Sequence, residues 1–481
     1  MSQSFPVSQP VPAERPQSRV STLVTARRST LVLLAALAVF ILSFALNLRK
    51  VHESPFHPDE SRWVNRASYI TNLKSPLGLD WADAYLLRGQ PPFGSYIVGL
   101  GLLLQGHDTD TNNPFNFHYG NERLITWEAA YGAIPSQDDL IAARQTNAFI
   151  GAVTAALIVV ILSKFTNVFG AMVGGAFIAI NGLQEYLSST ALSDATLGLL
   201  LVLSTLVIMR IVRKPSWAWT IVLGILFGCG MAAKLSPIAL AVGFGGIGFL
   251  FLIRRPVLMK IPGINRLVTY LARGREEVID RLAWMFLSLP IITVGVFVAL
   301  YPYVWSAPYS RTRILFDFRT QEMRSQSRIW PNLKINGPID ALDRLWHVFQ
   351  QDYPSTGKIF AKLAENTPFP SGVPSFDIVI VGLGLLLAVI TVIRTGVATP
   401  MAFAFYLLGG QTAAIIVGLK VDFNRYYLPI LIFGAVCFGY LTGEVAKFIV
   451  QEIEVYRNSR SKPDASQQRM QLPASVPFQD K

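Results

Sequence analysis

The sequence predicts an all-α integral membrane protein, because it is strongly apolar, poor in charge and divided into long hydrophobic runs. Of its 481 residues, 52% are hydrophobic and 15% are charged, whereas a soluble domain carries about 25% charged residues. Apolar runs of roughly 17–25 residues, enough to cross about 30 Å of hydrocarbon, recur along most of the chain. Such runs form helices because a bilayer offers no partners to unpaired backbone groups.

About ten transmembrane helices are predicted. They lie near residues 30–48, 144–163, 168–184, 194–213, 217–233, 236–253, 282–304, 376–394, 399–419 and 427–447. The first is a retained anchor rather than a signal peptide, because its apolar core is long and no small-residue cleavage site follows it. A shorter apolar piece at 91–105 barely spans the hydrocarbon and is predicted to be an interfacial or re-entrant helix.

The distribution of basic residues predicts the orientation. The terminal segments 1–28 and 448–481 are polar and basic, so both are expected to be disordered cytoplasmic tails. Short loops on the same predicted side carry Lys164, Arg210, Arg213, Lys214, Arg254, Arg255, Lys260, Arg266, Arg273 and Arg275. This bias and anionic headgroups explain the net charge of +12 better than nucleic-acid binding does.

Two long segments, 49–143 and 305–375, remain on the opposite, external side. Segments of this length are uncommon unless they have a function, so the site is expected here. The first contains HPDESRW at 57–63, which fits either a capped helix on the membrane surface or part of a polar site. On a helix Asp59 and Arg62 share one side, while Glu60 points about 100° away, so one carboxylate would face a shared site.

Charged residues of both signs stand at the external ends of predicted crossings. Asp194 is either a helix-start acid or part of a polar site between helices, since an uncompensated carboxylate is costly there. Lys234 either snorkels to the interface or has a buried anionic partner. Snorkelling would explain Arg144 or Arg425 separately, but the four together bring both signs of charge to one depth.

An arginine-rich stretch opens the second external segment, where one or two side chains are expected to bind an anion and the others to be solvated. Its members are Arg311, Arg313, Arg319, Arg324 and Arg328. The chain has no Walker loop, no HExxH and no nucleophile elbow. Its five histidines and two cysteines have no metal-ligand spacing, so no metal and no cofactor are predicted.

These motifs resemble the membrane glycosyltransferases that use polyprenyl-phosphate sugars. This is the protein O-mannosyltransferase and aminoarabinose transferase superfamily, glycosyltransferase family 39-like, with the GT-C fold. The resemblance spans roughly residues 29–447. It rests on HPDESRW, on PP at 91–92, on AAR at 142–144 and on LSDA at 192–195, with weaker support from YPY at 301–303 and RYYLP at 425–429.

The resemblance implies a GT-C transmembrane domain over 29–447, with surface helices in the first external loop. Asp59 matches the catalytic base, and Glu60 the second acid of the motif, with either a structural or an acceptor-orienting role. Arg144 and Asp194 match the arginine and second acidic position of the superfamily and are counted with Glu60 as substrate-binding candidates. Gln90 replaces a Lys or His, so the donor phosphate contact is expected either to pass to Arg88 or Lys234 or to be lost. The further substrate-binding candidates are Arg62, Arg311, Arg313 and Arg425.

The expected activity is inverting sugar transfer from a polyprenyl-phosphate donor to a hydroxyl acceptor at the external face of the plasma membrane. The acceptor is a lipid, glycan or protein of the cell envelope, membrane lipids surround the chain, and no nucleic-acid partner is expected. Three alternatives stay open: a transporter or flippase, which the absence of an internal repeat disfavours, a non-enzymatic scaffold, and a same-fold transferase with an oligosaccharide or polymer donor.

Overall fold

A computed structural model describes residues 19–116, 124–272, 275–368 and 370–461. Within these ranges the regular structure is helical, apart from one isolated antiparallel bridge between Lys334 and Val421. The predicted all-α fold class is confirmed. Apolar helices form the bundle, and the two long segments predicted to be external also fold into helices, of which all but the 22-residue helix Pro308–Ile329 are short.

The chain starts with one long helix followed by the first of these segments. The helices in order are α1 (Arg19–Glu53), α2 (Pro58–Asn65), α3 (Tyr69–Asn72), α4 (Tyr85–Gly89), α5 (Phe93–Leu104) and α6 (Leu124–Ala130). The helix predicted over 91–105 is therefore present as α5. Its 12 residues rise about 18 Å, and most of them are buried against the bundle.

The middle of the chain supplies most of the bundle. Its helices are α7 (Gln137–Leu162), α8 (Val168–Ala179), α9 (Gly182–Ser188), α10 (Asp194–Arg213), α11 (Trp217–Ala233), α12 (Ile238–Ile253), α13 (Ile264–Ala272) and α14 (Glu276–Ala299). The second long segment forms α15 (Pro308–Ile329), α16 (Pro338–His347) and α17 (Ser355–Asn366). The last three helices are α18 (Asp377–Thr395), α19 (Pro400–Gly418) and α20 (Leu428–Ser461).

A helix lies at each of the ten predicted crossings. Among the described residues, seven helices are long and apolar enough to span a membrane, and the pair α8 and α9, bent by 62° at its break, makes an eighth if the two cross as one span. The remaining two predicted crossings are α11 and α12, which have only 17 and 16 residues. They are short because the connection from Lys234 to Pro237 ends α11 and precedes α12. The chain is a multi-pass membrane protein.

The first and last helices of the chain are longer than predicted. α1 begins at Arg19, inside the 1–28 segment expected to be disordered, and α20 continues to Ser461, inside the 448–481 segment. Residues 1–18 and 462–481 lie outside the described residues. Continuing a helix through a polar flank keeps backbone hydrogen bonds paired as the chain leaves the apolar layer.

Glycine allows the closest helix packing in the bundle. A Cβ atom added to Gly170 of α8 would lie 2.4 Å from the Cα atom of Gly443 in α20, and one added to Gly174 would lie 3.0 Å from the Cα atom of Gly439. Small residues at this spacing let backbones approach, and van der Waals packing drives association between helices in lipid. A second close approach, of Gly99 to the Ala67 carbonyl, seats α5 beside the turn that follows α2.

Candidate active site

The first turn of α2 is fixed by a reciprocal cap. The His57 Nδ1 atom accepts a hydrogen bond from the Asp59 backbone N–H at 3.1 Å, and the Glu60 carboxylate accepts one from the His57 N–H at 2.9 Å. Pro58 occupies the first helical position, where a missing N–H costs nothing. The cap holds Asp59 and Glu60 in the first turn, where the helix dipole favours negative charge.

Asp59 is enclosed between two arginines. Its Oδ1 atom accepts a hydrogen bond from Arg62 Nη2 at 2.8 Å, and its Oδ2 atom accepts one from Arg425 Nη1. Only 12% of the side chain is exposed. Burial would raise the pKa of the Asp59 carboxyl, but the charges of Arg425 and Arg62 outweigh it and hold the pKa well below its usual value.

Glu60 points to another side of α2, as its angular offset predicts, and pairs with Arg144. Arg144 Nε donates to Glu60 Oε1 at 2.8 Å, and its Nη2 donates to Oε2 at 2.6 Å. The Ala191 backbone N–H donates to the same carboxylate at 2.8 Å. Glu60 is fully buried, and this two-point pairing joins α2 to α7 and to the loop before α10.

Arg144 has no hydrogen-bond donor left for a substrate. Its remaining N–H groups donate to the carbonyl oxygens of Val51, Ser54 and Pro55 at 2.9–3.1 Å. A guanidinium has five donors, and all five are used here. Both residues were substrate-binding candidates, with a structural role as the alternative for Glu60. Their contacts favour a structural role, because both side chains are buried and hold the end of α1 and the start of α2.

The second carboxylate and its cation meet where α10 begins and α11 ends. Lys234 Nζ donates to Asp194 Oδ1 at 2.5 Å, and the ammonium lies 4.6 Å from the centre of the Tyr426 ring. The Asn147 side chain donates to the Thr190 and Leu192 carbonyl oxygens, which fixes the loop before Asp194. Of the two readings of Lys234, the structure supports the buried anionic partner.

A cavity of about 400 Å³ opens beside these groups. Its charged and amide lining is Asp194, Lys234, Arg319, Lys420, Arg425, Gln90 and Gln326. Its apolar lining includes Leu197, Leu235, Ile238, Phe316, Met323 and Ile415. The cavity is therefore lined by the cations Lys234, Arg319, Lys420 and Arg425 and by an apolar wall formed by α10, α12, α15 and α19.

Three predicted cations lie away from this cavity. Arg88 pairs with Asp83 at 2.7 Å, and both side chains are more than a third exposed. Arg311 donates to the Trp81 and Tyr303 carbonyl oxygens, and Arg313 is 72% exposed beside Asp317. Local partners use these three arginines, so we do not assign them to substrate.

Two other cations line the cavity in their place. Arg319 belongs to the arginine-rich stretch from which one or two anion-binding residues were expected, and it pairs with Glu322. Lys420 follows α19, and its carbonyl accepts a hydrogen bond from the Ile335 N–H at 3.0 Å. Only its position at the external end of a predicted crossing could have indicated Lys420 from the sequence.

Glu128 is a buried carboxyl group that sequence reasoning missed. Its Oε1 atom accepts a hydrogen bond from the Ser61 hydroxyl at 2.8 Å, whereas its buried Oε2 atom has no hydrogen-bond partner among the residues that the structure describes. Burial raises the pKa of Glu128 to about 7. Its proximity to α2 depends on the fold of the loop after α5, so no local pattern reveals it.

Glu128 gives a pH-dependent prediction. Because its folded pKa lies above the usual 4.5 of Glu, the folded state binds more protons, and stability should fall as pH rises between those values. Glu128→Gln should therefore raise the unfolding temperature by about 2 °C at pH 8 and change it little at pH 5. Thermal unfolding in detergent measures this, with Glu365→Gln in exposed α17 as control. An equal shift at both pH values would contradict it.

The described residues contain no group of three or more His, Cys, Asp or Glu side chains arranged to hold a metal ion. Cys229 and Cys437 are free thiols. Around the cavity, Lys234 pairs with Asp194, Arg319 with Glu322 and Arg425 with Asp59.

Residues 125–272 match the sequence profile of a family described as Dolichyl-phosphate-mannose-protein mannosyltransferase. The predicted resemblance to these mannosyltransferases is confirmed over the matched segment, which is 148 of the 481 residues, and the match supports the predicted glycosyltransferase class. The matched segment includes Glu128, Arg144, Asp194 and Lys234, and it ends at α13. No curated protein matches the chain.

Solved structures of membrane glycosyltransferases are similar to the chain at low identity. The S. cerevisiae protein O-mannosyltransferase Pmt1–Pmt2 complex bound to its sugar donor is 12% identical, with a TM-score of 0.37 over 57% of this chain and 33% of that chain. Archaeoglobus fulgidus oligosaccharyltransferase AglB is 12% identical, with a TM-score of 0.45 over 89% and 52%. ArnT from Cupriavidus metallidurans is 15% identical, with a TM-score of 0.29 over 89% and 78%. The chain thus spans between a third and about half of the first two.

Proposed function

We propose that residues 29–447 transfer a sugar from a polyprenyl-phosphate donor to a hydroxyl acceptor, with inversion, at the extracytoplasmic face of the plasma membrane. The observation that carries the proposal is the cavity, in which Lys234 and Arg425 stand beside an apolar wall and Arg425 also contacts Asp59. A phosphate on a long hydrocarbon tail needs this combination of cations and apolar surface.

The donor is a phosphodiester, and its leaving phosphate gains negative charge in the reaction. Asp59 takes the proton of the acceptor hydroxyl, the acceptor oxygen forms a bond to C1 of the sugar, and the bond from C1 to the phosphate oxygen breaks. The electron pair of that bond leaves with the polyprenyl phosphate. Lys234 and Arg425 stabilise the added charge, and a single displacement inverts the anomeric carbon.

The charge distribution along α10 supports the extracytoplasmic placement. Asp194 begins this 20-residue helix, and Arg210 and Arg213 lie in its last turn, about 30 Å away. Short loops with Lys and Arg stay cytoplasmic in multi-pass proteins. Asp194 and the cavity would then face outward, towards lipid, glycan or protein acceptors of the cell envelope.

Removal of one cavity cation tests the proposal. Lys234→Gln should lower transfer by about 100-fold, because one donor to the developing phosphate charge is lost. The assay uses full-length protein in vesicles with radiolabelled polyprenyl-phosphate mannose and envelope extract as acceptor. Arg88→Gln, at an exposed pair outside the cavity, is the matched control and should transfer at the wild-type rate. Wild-type transfer by Lys234→Gln, or movement of labelled donor across the membrane without transfer, would contradict the proposal.

A further inference from the structure

Both cations nearest the start of α10 are already paired with carboxylates. Lys234 is held by Asp194, and Arg425 is held by Asp59. The aromatic ring of Tyr426 lies between them, 4.6 Å from the Lys234 ammonium and 5.6 Å from the Arg425 guanidinium. A phosphate that enters this end of the cavity therefore competes with carboxylates for its cations.

Arg425 differs from Lys234 in what its partner does. Asp59 and Asp194 both lie in the first turn of a helix, but only Asp59 is the proposed base. Arg425 lines the cavity, and only 18% of its side chain is exposed, so one guanidinium reaches both the phosphate position and the base. A carboxylate paired with two guanidinium groups is a weak base, as its lowered pKa indicates.

We propose that Arg425 is a positioning residue shared between Asp59 and the donor phosphate, so that donor binding unpairs one oxygen of Asp59 for the acceptor hydroxyl. This inference rests on the proposed function. Arg62 stays on Oδ1 and keeps the carboxylate oriented, while Oδ2 becomes the acceptor of the proton. The base is then active only when the sugar to be transferred is present.

The backbone around Arg425 is anchored, so the exchange needs only a side-chain rotation. The Asp422 N–H donates to the Leu333 carbonyl at 2.8 Å, and the Asn424 side chain donates to the Tyr353 hydroxyl at 2.9 Å. These bonds tie the residues just before the arginine to the second external segment. Rotamer changes of this kind are fast compared with helix motion.

Competition for Arg425 predicts an unusual gain of affinity. The probe is polyprenyl phosphate without sugar, measured by calorimetry on full-length protein in nanodiscs. Asp59→Asn should bind the probe about 10-fold more tightly than wild type, because the guanidinium is released to the phosphate. Arg425→Gln should bind more weakly, and Asp59→Asn should add nothing in that background. Asp317→Asn removes the same charge from an exposed pair outside the cavity and should leave affinity unchanged.

Each outcome separates the inference from the proposed function. Equal affinities of wild type and Asp59→Asn, or a gain that persists with Arg425→Gln, would overturn the shared arginine but leave the transferase intact. No binding of the probe by any variant would contradict the donor site, and with it both proposals. A gain of affinity cannot come from misfolding, so Asp59→Asn decides even where the Arg425 variant is unstable.

Discussion

Asp59→Asn is expected to lower sugar transfer by about 1,000-fold while the protein still folds and binds donor. Asparagine has the shape of aspartate and keeps an oxygen for Arg62, but it cannot take a proton from the acceptor hydroxyl. General-base catalysis contributes about 10²–10⁴-fold, which sets the size of the loss. The transfer assay with labelled polyprenyl-phosphate sugar measures it.

Two controls make this result specific to the base. The unfolding temperature of Asp59→Asn in detergent should stay close to wild type, and Asp317→Asn, at an exposed pair of α15, should transfer normally. Transfer at the wild-type rate by Asp59→Asn would remove Asp59 from the base role. Loss of donor binding together with transfer would instead make Asp59 part of the donor site.

Arg144→Met is expected to cost the fold about 3–5 kcal/mol, because it leaves the Glu60 carboxylate buried without its cation. Three carbonyl oxygens at the junction of α1 and α2 also lose their donor. The expected result is a large drop in the yield of monodisperse protein and in its unfolding temperature. Size-exclusion chromatography and thermal unfolding in detergent measure both.

This prediction separates a structural role for Arg144 from substrate binding. If Arg144 bound substrate, Arg144→Met would fold normally and show only a raised KM. The control is Arg313→Met, which breaks an exposed pair with Asp317 and should change stability by less than about 1 kcal/mol. A normally folded Arg144→Met protein would contradict the buried pair as the anchor of α2.

Local features of the site follow from local patterns. The 100° step between neighbouring helix positions predicts that Asp59 and Glu60 face different surroundings, and the structure gives them Arg62 and Arg144 as separate partners. The polar residues at the start of HPDESRW likewise predict where α2 begins. Hydrophobic length predicts a helix at all ten crossings, because a backbone in lipid has no other way to pair its polar groups.

Which cations reach the cavity does not follow from such patterns. Arg88, Arg311 and Arg313 have the residue type and the predicted side that a phosphate site needs, yet partners close to each one in the fold use their charges. Arg319 and Lys420 line the cavity instead, because α15 and the end of α19 happen to face it.

The sequence alone determined the membrane class and the helical fold, since these depend on composition and periodicity, and its resemblance to a known family made Asp59 the leading catalytic candidate. Only the tertiary structure decided that Glu60 and Arg144 are used for anchoring and that Arg425 reaches Asp59, 366 residues away in the chain. The physical reason is that each charged side chain has a limited number of hydrogen-bond donors or acceptors, and the fold decides which neighbours occupy them.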